Sequence, residues 1–260
     1  MNTTRATPLA DIEADAVRMI DGLAERSCVA RLLGGLAIAE HRHTHLPAVL
    51  SRSYGDIDIV IPAGKPGPFK VAMEDLGYTP NSRFNNLRGH KRMLYYDEPN
   101  GRQVDVFVSR FDMCHGIDLA GRLDTGTRTL HPTDLLLTKL QVVEINRKDL
   151  VDALTVILTH DVVDGGTGAD ALELGRLSEV TSCDWGWYTT LSDNLARIAP
   201  IARELLDSDA AGLVEKRLAQ LEESLRSAPK SLRWKARAKV GRKVKWYELP
   251  EEVGQTIVTR

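Results

Sequence analysis

The chain has 260 residues and is nearly balanced in charge, with 34 Lys and Arg against 36 Asp and Glu. Its 43% hydrophobic and 27% charged residues exclude a disordered chain or a coiled coil, and give enough material for one large core or two modest ones. No run approaches the roughly eighteen apolar residues of a membrane span, and "MNTTRATPLADIEADAVRM" lacks the basic start and apolar stretch of a secretory signal. Cys28, Cys114 and Cys183 form no CxxC pair and read as reduced thiols, so a cytoplasmic protein is expected.

In chain order, Leu9, Ile12, Val17, Ile20 and Leu23 recur at helical spacing, which predicts an amphipathic helix over 9–27. "CVARLL" (28–33) predicts a short strand running into Gly34-Gly35, and "LAIAEH" the first turns of a helix. After "HRHTHLPAVLSRS" comes "DIDIVI", a β-strand by its branched apolar residues. Residues 69–77 predict a helix stopped by Gly77, and "KRMLYY" and "RQVDVFV" around "DEPNG" predict a hairpin. Beyond about residue 130 the pattern is helical: "TDLLLTKLQVVEI", "KDLVDALTVIL", a "DGGTG" joint at 164–168, then 169–179, 184–206 and 209–227. An α+β chain is therefore expected, with a small mixed sheet flanked by helices in residues 1–130 and a helical domain in 131–260.

Asp56 and Asp58 open the "DIDIVI" strand. Strand side chains alternate faces, so the two carboxylates point the same way with Cα atoms about 6.5–7 Å apart. Like charges on a mostly buried strand repel and lose hydration. A bland reading makes Asp56 the end of a "YGD" turn, but Asp58 inside the apolar run needs a partner. Asp105, in "QVDVFVS", lies in a second apolar strand; as a strand-edge charge it would pair with Arg102 or Arg110, and beside Asp58 it would complete an acidic cluster. Clusters of hard oxygens are relieved by Mg²⁺ or Mn²⁺ rather than zinc. Gly34 and Gly35 lack Cβ atoms, so their N–H groups can approach an anion at the start of a helix. Phosphate and metal sites side by side are the equipment of phosphoryl or nucleotidyl transfer.

The order strand, "GG", helix, "DID" strand, "VDV" strand resembles the polymerase-β-like nucleotidyltransferases and, more narrowly, the AbiEii-type toxin nucleotidyltransferases. The motifs carrying the likeness are Gly34-Gly35-Leu36-Ala37, "RSYGDID" (52–58), Lys139-Leu140 and "NRKDLVD" (146–152). Tyr54 stands where the family favours Thr, and Asn146 where it favours Arg. The resemblance covers roughly 28–158 and implies a nucleotidyltransferase fold followed by a helical domain. It also implies Mg²⁺-dependent transfer of a nucleotide from an NTP to a hydroxyl, as in toxin–antitoxin systems that act on RNA or tRNA, with an antitoxin protein as partner. On that reading Asp56, Asp58 and Asp105 hold metal, Gly34, Gly35, Arg52, Ser53 and Lys139 bind nucleotide, and Asp149 joins the catalytic set. Without it, Lys139 is a snorkelling lysine and Asp149 an acid offsetting a helix dipole behind an Asn146 cap. A small-molecule nucleotidyltransferase of the antibiotic-modifying kind shares the same elements, and a non-catalytic nucleotide-binding protein is the third reading.

Three further features stand apart. "HRHTH" (41–45) invites zinc, though alternate histidines in a loop more often face solvent or phosphate. Trp185 and Trp187 are either base-stacking residues or groove fillers. From Arg226 to Lys245 there are nine Lys or Arg and no acid, interleaved with Trp234, which suits an RNA backbone.

Overall fold

Helix α1 (Ile12–Glu25) begins where the Asp11 carboxylate accepts the Ala14 N–H at 2.8 Å. Strand β1 (Arg31–Leu33), helix α2 (Gly34–Glu40), strand β2 (Asp56–Ile61), helix α3 (Gly67–Asp75), strand β3 (Thr79–Pro80), helix α4 (Ser82–Arg88) and strands β4 (Arg92–Asp97) and β5 (Arg102–Val108) follow. This is a computed structural model, describing residues 5–41, 46–64, 66–124, 126–165 and 170–249; most of "HRHTH" and of the "DGGTG" joint lie outside them.

The five strands form one mixed sheet in the order β1-β2-β5-β4-β3. β2 and β5 run parallel at its centre, β4 pairs antiparallel with β5 across the expected hairpin, and β1 is antiparallel to β2. Ile57, Ile59 and Val60 are fully buried, as are Val104 and Val106. Each such side chain stabilises the sheet by roughly 1.5–3 kcal/mol, which holds the interspersed aspartates in a fixed register. The outer edge of β1 is covered by the chain itself: the Leu32 N–H donates to Arg128 O at 2.8 Å, and the Leu130 N–H to Leu32 O at 2.9 Å. Buried Asp15 ties helix α1 to β5 through Arg102 at 3.4 Å and to the residue before β3 through the Tyr78 hydroxyl, which donates to it at 2.7 Å.

A small hairpin, β6 (Arg110–Asp112) and β7 (Gly116–Asp118), leads to the helical part: α5 (Pro132–Leu140), α6 (Arg147–Thr159), strands β8 (Asp161–Val163) and β9 (Ala171–Glu173), α7 (Leu174–Cys183), α8 (Trp185–Ala196), α9 (Ile198–Leu205), α10 (Ser208–Ser227) and α11 (Leu232–Val240). Helices α5 and α6 pack on each other and on α2, and one continuous apolar core runs from the sheet into the helices. The α+β expectation holds, with local differences, among them a break at Arg197 that divides the helix expected over 184–206 into α8 and α9. The helix expected to reach residue 145 stops at Leu140, where Asn194 Nδ2 takes the carbonyls of Leu140 and Val142 at 2.9 and 2.8 Å. The helix expected from 169 starts at Leu174, because residues 171–173 pair in parallel with β8. Among the described residues no helix is long and apolar enough to cross a membrane.

Candidate active site

Register brings the sequence-predicted residues together. Asp58 sits opposite Asp105 on the parallel side of β2 and opposite Leu33 on the antiparallel side, so Gly34 follows directly beside it. Gly34 has φ +70°, and a Cβ there would lie 2.5 Å from Asp58 Oδ2. Glycine is required twice over, by backbone sign and by space. A Cβ on Gly35 would fall on the Arg52 guanidinium and 2.8 Å from the Tyr54 ring. The glycine pair is thus wedged between the Asp58 carboxylate and Arg52, whose guanidinium lies 4.4 Å above the Tyr54 ring. Ser53 is exposed on the same loop.

The next layer comes from α5 and α6. Asn146 caps α6, its Oδ1 accepting the Asp149 N–H at 2.9 Å, as the sequence led one to expect. Lys139 Nζ lies between Asp149 Oδ1 at 2.8 Å and Asp152 Oδ2 at 2.9 Å. Arg52 grips the same Asp152 with both arms, Nε to Oδ1 at 2.8 Å and the terminal nitrogen to Oδ2 at 2.6 Å. Burial alone would raise the Asp152 pKa, but Arg52 and Lys139 hold it below the usual carboxylate range. Burial likewise opposes the Lys139 charge, and Asp152 with Asp149 more than restores it. The sequence makes Asp152, one turn beyond Asp149, a weaker candidate than Asp149, yet it is the acid around which Arg52 and Lys139 are arranged. The signal available was its spacing of one helical turn from Asp149 on a helix otherwise apolar on that face.

Asp58 is the opposite case. Burial pushes its pKa up, the charges of Asp56 and Asp105 push further, and Lys139 and Arg92 offset only part, leaving it at about 7. Asp105 is buried, and its partner is neither Arg102 nor Arg110. Arg92 donates to its Oδ1 through Nε at 2.7 Å and a second nitrogen at 2.5 Å, and Gln103 donates to its Oδ2 at 2.7 Å. Arg102 is taken by Asp97, and Arg110 by Asp112 at 2.5 Å. The carboxylates of Asp56, Asp58 and Asp105 share one face, but the oxygens of Asp105 are turned to Arg92 and Gln103. Among the described residues the only His, Cys, Asp and Glu group with ligand atoms within 4.8 Å of one another is His41, His160 and Asp170.

From Arg92 a groove leads away over Phe107, lined by Arg88, Lys91, Arg110 and His115. It continues past His115 and Gly116 into a hollow lined by Trp185, Trp234, Arg237, Lys245 and Trp246. The basic segment folds back here rather than trailing as a tail. Trp234 meets Tyr188 edge to face, with ring centroids 5.3 Å apart. Arg237 stacks over Trp185 at 4.8 Å and donates to Gly241 O and Val244 O at 2.6 and 2.7 Å. Trp187 is buried, its Nε1 donating to Gly116 O at 3.2 Å, so it fills a groove between elements.

No protein-family model matches the chain, and no curated protein sequence does. Two solved structures are similar to it in part. One is the antibiotic-resistance factor ANT(2'')-Ia in solution, at 13% identity over 75% of this chain and 98% of that one, with a TM-score of 0.40. The other is an antigenic nucleotidyltransferase-like protein from Paracoccidioides brasiliensis, at 15% identity over 86% of this chain and 96% of that one, with a TM-score of 0.38. Superpositions this loose leave the site's own geometry to carry its chemistry.

Proposed function

We propose that the protein is a metal-dependent nucleotidyltransferase of the polymerase-β-like kind, moving a nucleotide from an NTP to a hydroxyl of RNA. The observation that carries this reading is the Gly34 backbone pressed onto the Asp58 carboxylate, beside an Asp105 held level with it across β2 and β5. An anion-binding turn and a strand of acids at one point suit a substrate that is a polyphosphate with its cation.

Asp56 and Asp58 offer carboxylate oxygens, the donors a divalent ion takes, and Asp105 would join them by turning an oxygen away from Arg92 or Gln103. Asp56, Asp58 and Asp105 would hold Mg²⁺ or Mn²⁺, which when bound lowers the pKa of the acceptor hydroxyl and offsets charge on the phosphates. Gly34 and Gly35 donate backbone N–H groups to the triphosphate. Lys139, fixed by Asp149 and Asp152, keeps a positive charge beside it, and Arg52 and Ser53 close the loop side. The acceptor oxygen bonds to the α-phosphorus, the bond from that phosphorus to the bridging oxygen breaks, and pyrophosphate leaves. The hydroxyl proton passes to water. Catalysis is then chiefly positioning and charge stabilisation. Residues 1–130 supply the acids, the glycine turn and the near part of the groove, and 131–260 supply Lys139 and the aromatic hollow beyond it.

RNA is favoured over a cationic small molecule by the groove that leaves Arg92. A site for a polycationic drug needs acidic walls, whereas here Arg88, Lys91, Arg233, Arg237 and Lys245 outnumber Asp112, Asp184 and Glu248, with tryptophans among them. The test is incubation with labelled NTPs, Mg²⁺ and total RNA, with an aminoglycoside in parallel. Label in RNA with pyrophosphate release is the expected result. Label in the aminoglycoside alone would overturn the acceptor, and label in neither would overturn the activity. A toxin role with an antitoxin partner belongs to the same proposal, and its measure is growth arrest on expression that Asp58→Asn abolishes.

A further inference from the structure

Away from the acidic strands, the ends of α2 and α6 meet the start of β9 at one point. His41 is the C-cap of α2, His160 the C-cap of α6, and Asp170 immediately precedes β9. His41 Nδ1 lies 3.4 Å from Asp170 Oδ1, His160 Nε2 lies 3.2 Å from the same oxygen, and the two ring nitrogens are 3.4 Å apart. Tetrahedral zinc with bonds of about 2.0–2.1 Å sets its ligand atoms about 3.3 Å apart. The triangle has that edge on all sides.

The far nitrogens are engaged as ligand histidines require. His160 Nδ1 faces Val156 O at 2.9 Å, an acceptor only, so Nδ1 carries the proton and Nε2 presents its lone pair to the triangle. His41 Nε2 meets Thr129 Oγ1 at 2.7 Å, which orients that ring with Nδ1 inward. Burial favours the neutral form of His41, lowering its pKa against the pull of Asp170. Two ring lone pairs and a carboxylate oxygen converge, an arrangement that a single shared cation satisfies at once. The accessibility is graded: the His160 side chain is 0% exposed, His41 16% and Asp170 61%, so solvent reaches the cluster from the carboxylate side.

We propose that His41 Nδ1, His160 Nε2 and Asp170 Oδ1 form a zinc site with a water as fourth ligand. Imidazole nitrogens select zinc over Mg²⁺, so this site is chemically separate from the acids of β2 and β5. Its place gives it a job. It ties the end of α2, which begins at the glycine pair, to the end of α6, which carries Asp149 and Asp152. The site thus fixes the distance between the glycine turn and the Lys139–Asp152–Arg52 group.

The test is made on the full, untagged chain without nucleotide, so it stands apart from the transferase reading. The chain is exposed to micromolar zinc, passed into metal-free buffer, and its metal counted by mass spectrometry. About one zinc per chain is expected. Cobalt in place of zinc should give the visible absorption of a tetrahedral site, and zinc should raise the melting temperature over EDTA. Asp170→Asn, at the exposed ligand, and His41→Gln should each lose the retained metal, the cobalt band and the melting shift while keeping the far-ultraviolet spectrum of the folded chain. A wild-type chain that retains no zinc would overturn the site. Both variants retaining zinc with an unchanged cobalt spectrum would also overturn it, since the metal would then lie elsewhere.

Discussion

Asp58 on β2 and Asp152 on α6 are carboxylates of one site with opposite circumstances. Asp152 is gripped by Arg52 and Lys139, and its pKa is held low. Asp58 lies among anions, and its pKa is driven to about 7. The helix acid is neutralised by the chain and maintains the shape of the site. The strand acid is not, and under the proposed function a substrate with its cation would bring the positive charge it lacks.

Substitution at the two positions should separate these roles. Asp58→Asn should lower nucleotide transfer by about 1,000-fold or more, because it removes charge at the metal and triphosphate without changing shape. Steady-state transfer to RNA measures it, and full Mg²⁺-dependent activity in the variant would remove Asp58 from the reaction. Asp152→Ala should act first on folding. It strips Lys139 and Arg52 of a shared buried partner, a loss of about 3–5 kcal/mol that lowers the melting temperature by roughly 10 °C at this size.

The comparison sharpens with pH, where the two acids should respond with opposite sign. The folded pKa of Asp58 lies above its unfolded value, so its charge costs stability above pH 7 and the cost fades as the folded state takes up a proton below it. In EDTA, Asp58→Asn should therefore raise the melting point at pH 8, by about 2–4 °C for each kcal/mol recovered, and raise it little at pH 4. Asp152 has a lowered folded pKa, so its contribution is present above its unfolded value and lost as pH falls through the folded one. Asp152→Asn should be destabilising at neutral pH and converge on wild type in acid. Melting curves of both variants across pH test the pair, and shifts of the same sign would break the distinction.

The smallest effect belongs to the groove. Arg233 and Lys245 are exposed and line the aromatic hollow. Replacing both by Ala should raise KM for RNA and reduce the slope of log affinity against log salt by about 1.4, with KM for NTP unchanged. Overlapping salt curves would make this surface a solvated helix face.

The parts of this site legible in sequence are those whose local chemistry is sufficient. The branched apolar run around Asp56 and Asp58, the "DEPNG" turn that brings β4 beside β5, and the Asn146 cap each depend on neighbours a few residues away. What sequence did not show depends on register between distant segments. Asp105 pairs with Arg92 because β4 lies next to β5 with a particular alignment, and both Arg102 and Arg110 were nearer along the chain. Asp152 meets Arg52 across 100 positions, and His160 meets His41 across 119. Short strands such as β3, β8 and β9 carry too few residues to display a period, so they are visible only as pairings.

The way residues 128–130 run along β1 has an effect on how the molecule meets its own kind. An open strand edge is a template on which a second chain can add itself, and sheets with long bare edges aggregate. Here one edge is occupied by the Leu32 bonds to Arg128 and Leu130, and at the other β3 presents two residues, one of them Pro80 without an N–H to give. Among the described residues, both edges of the sheet are covered or shortened by its own chain.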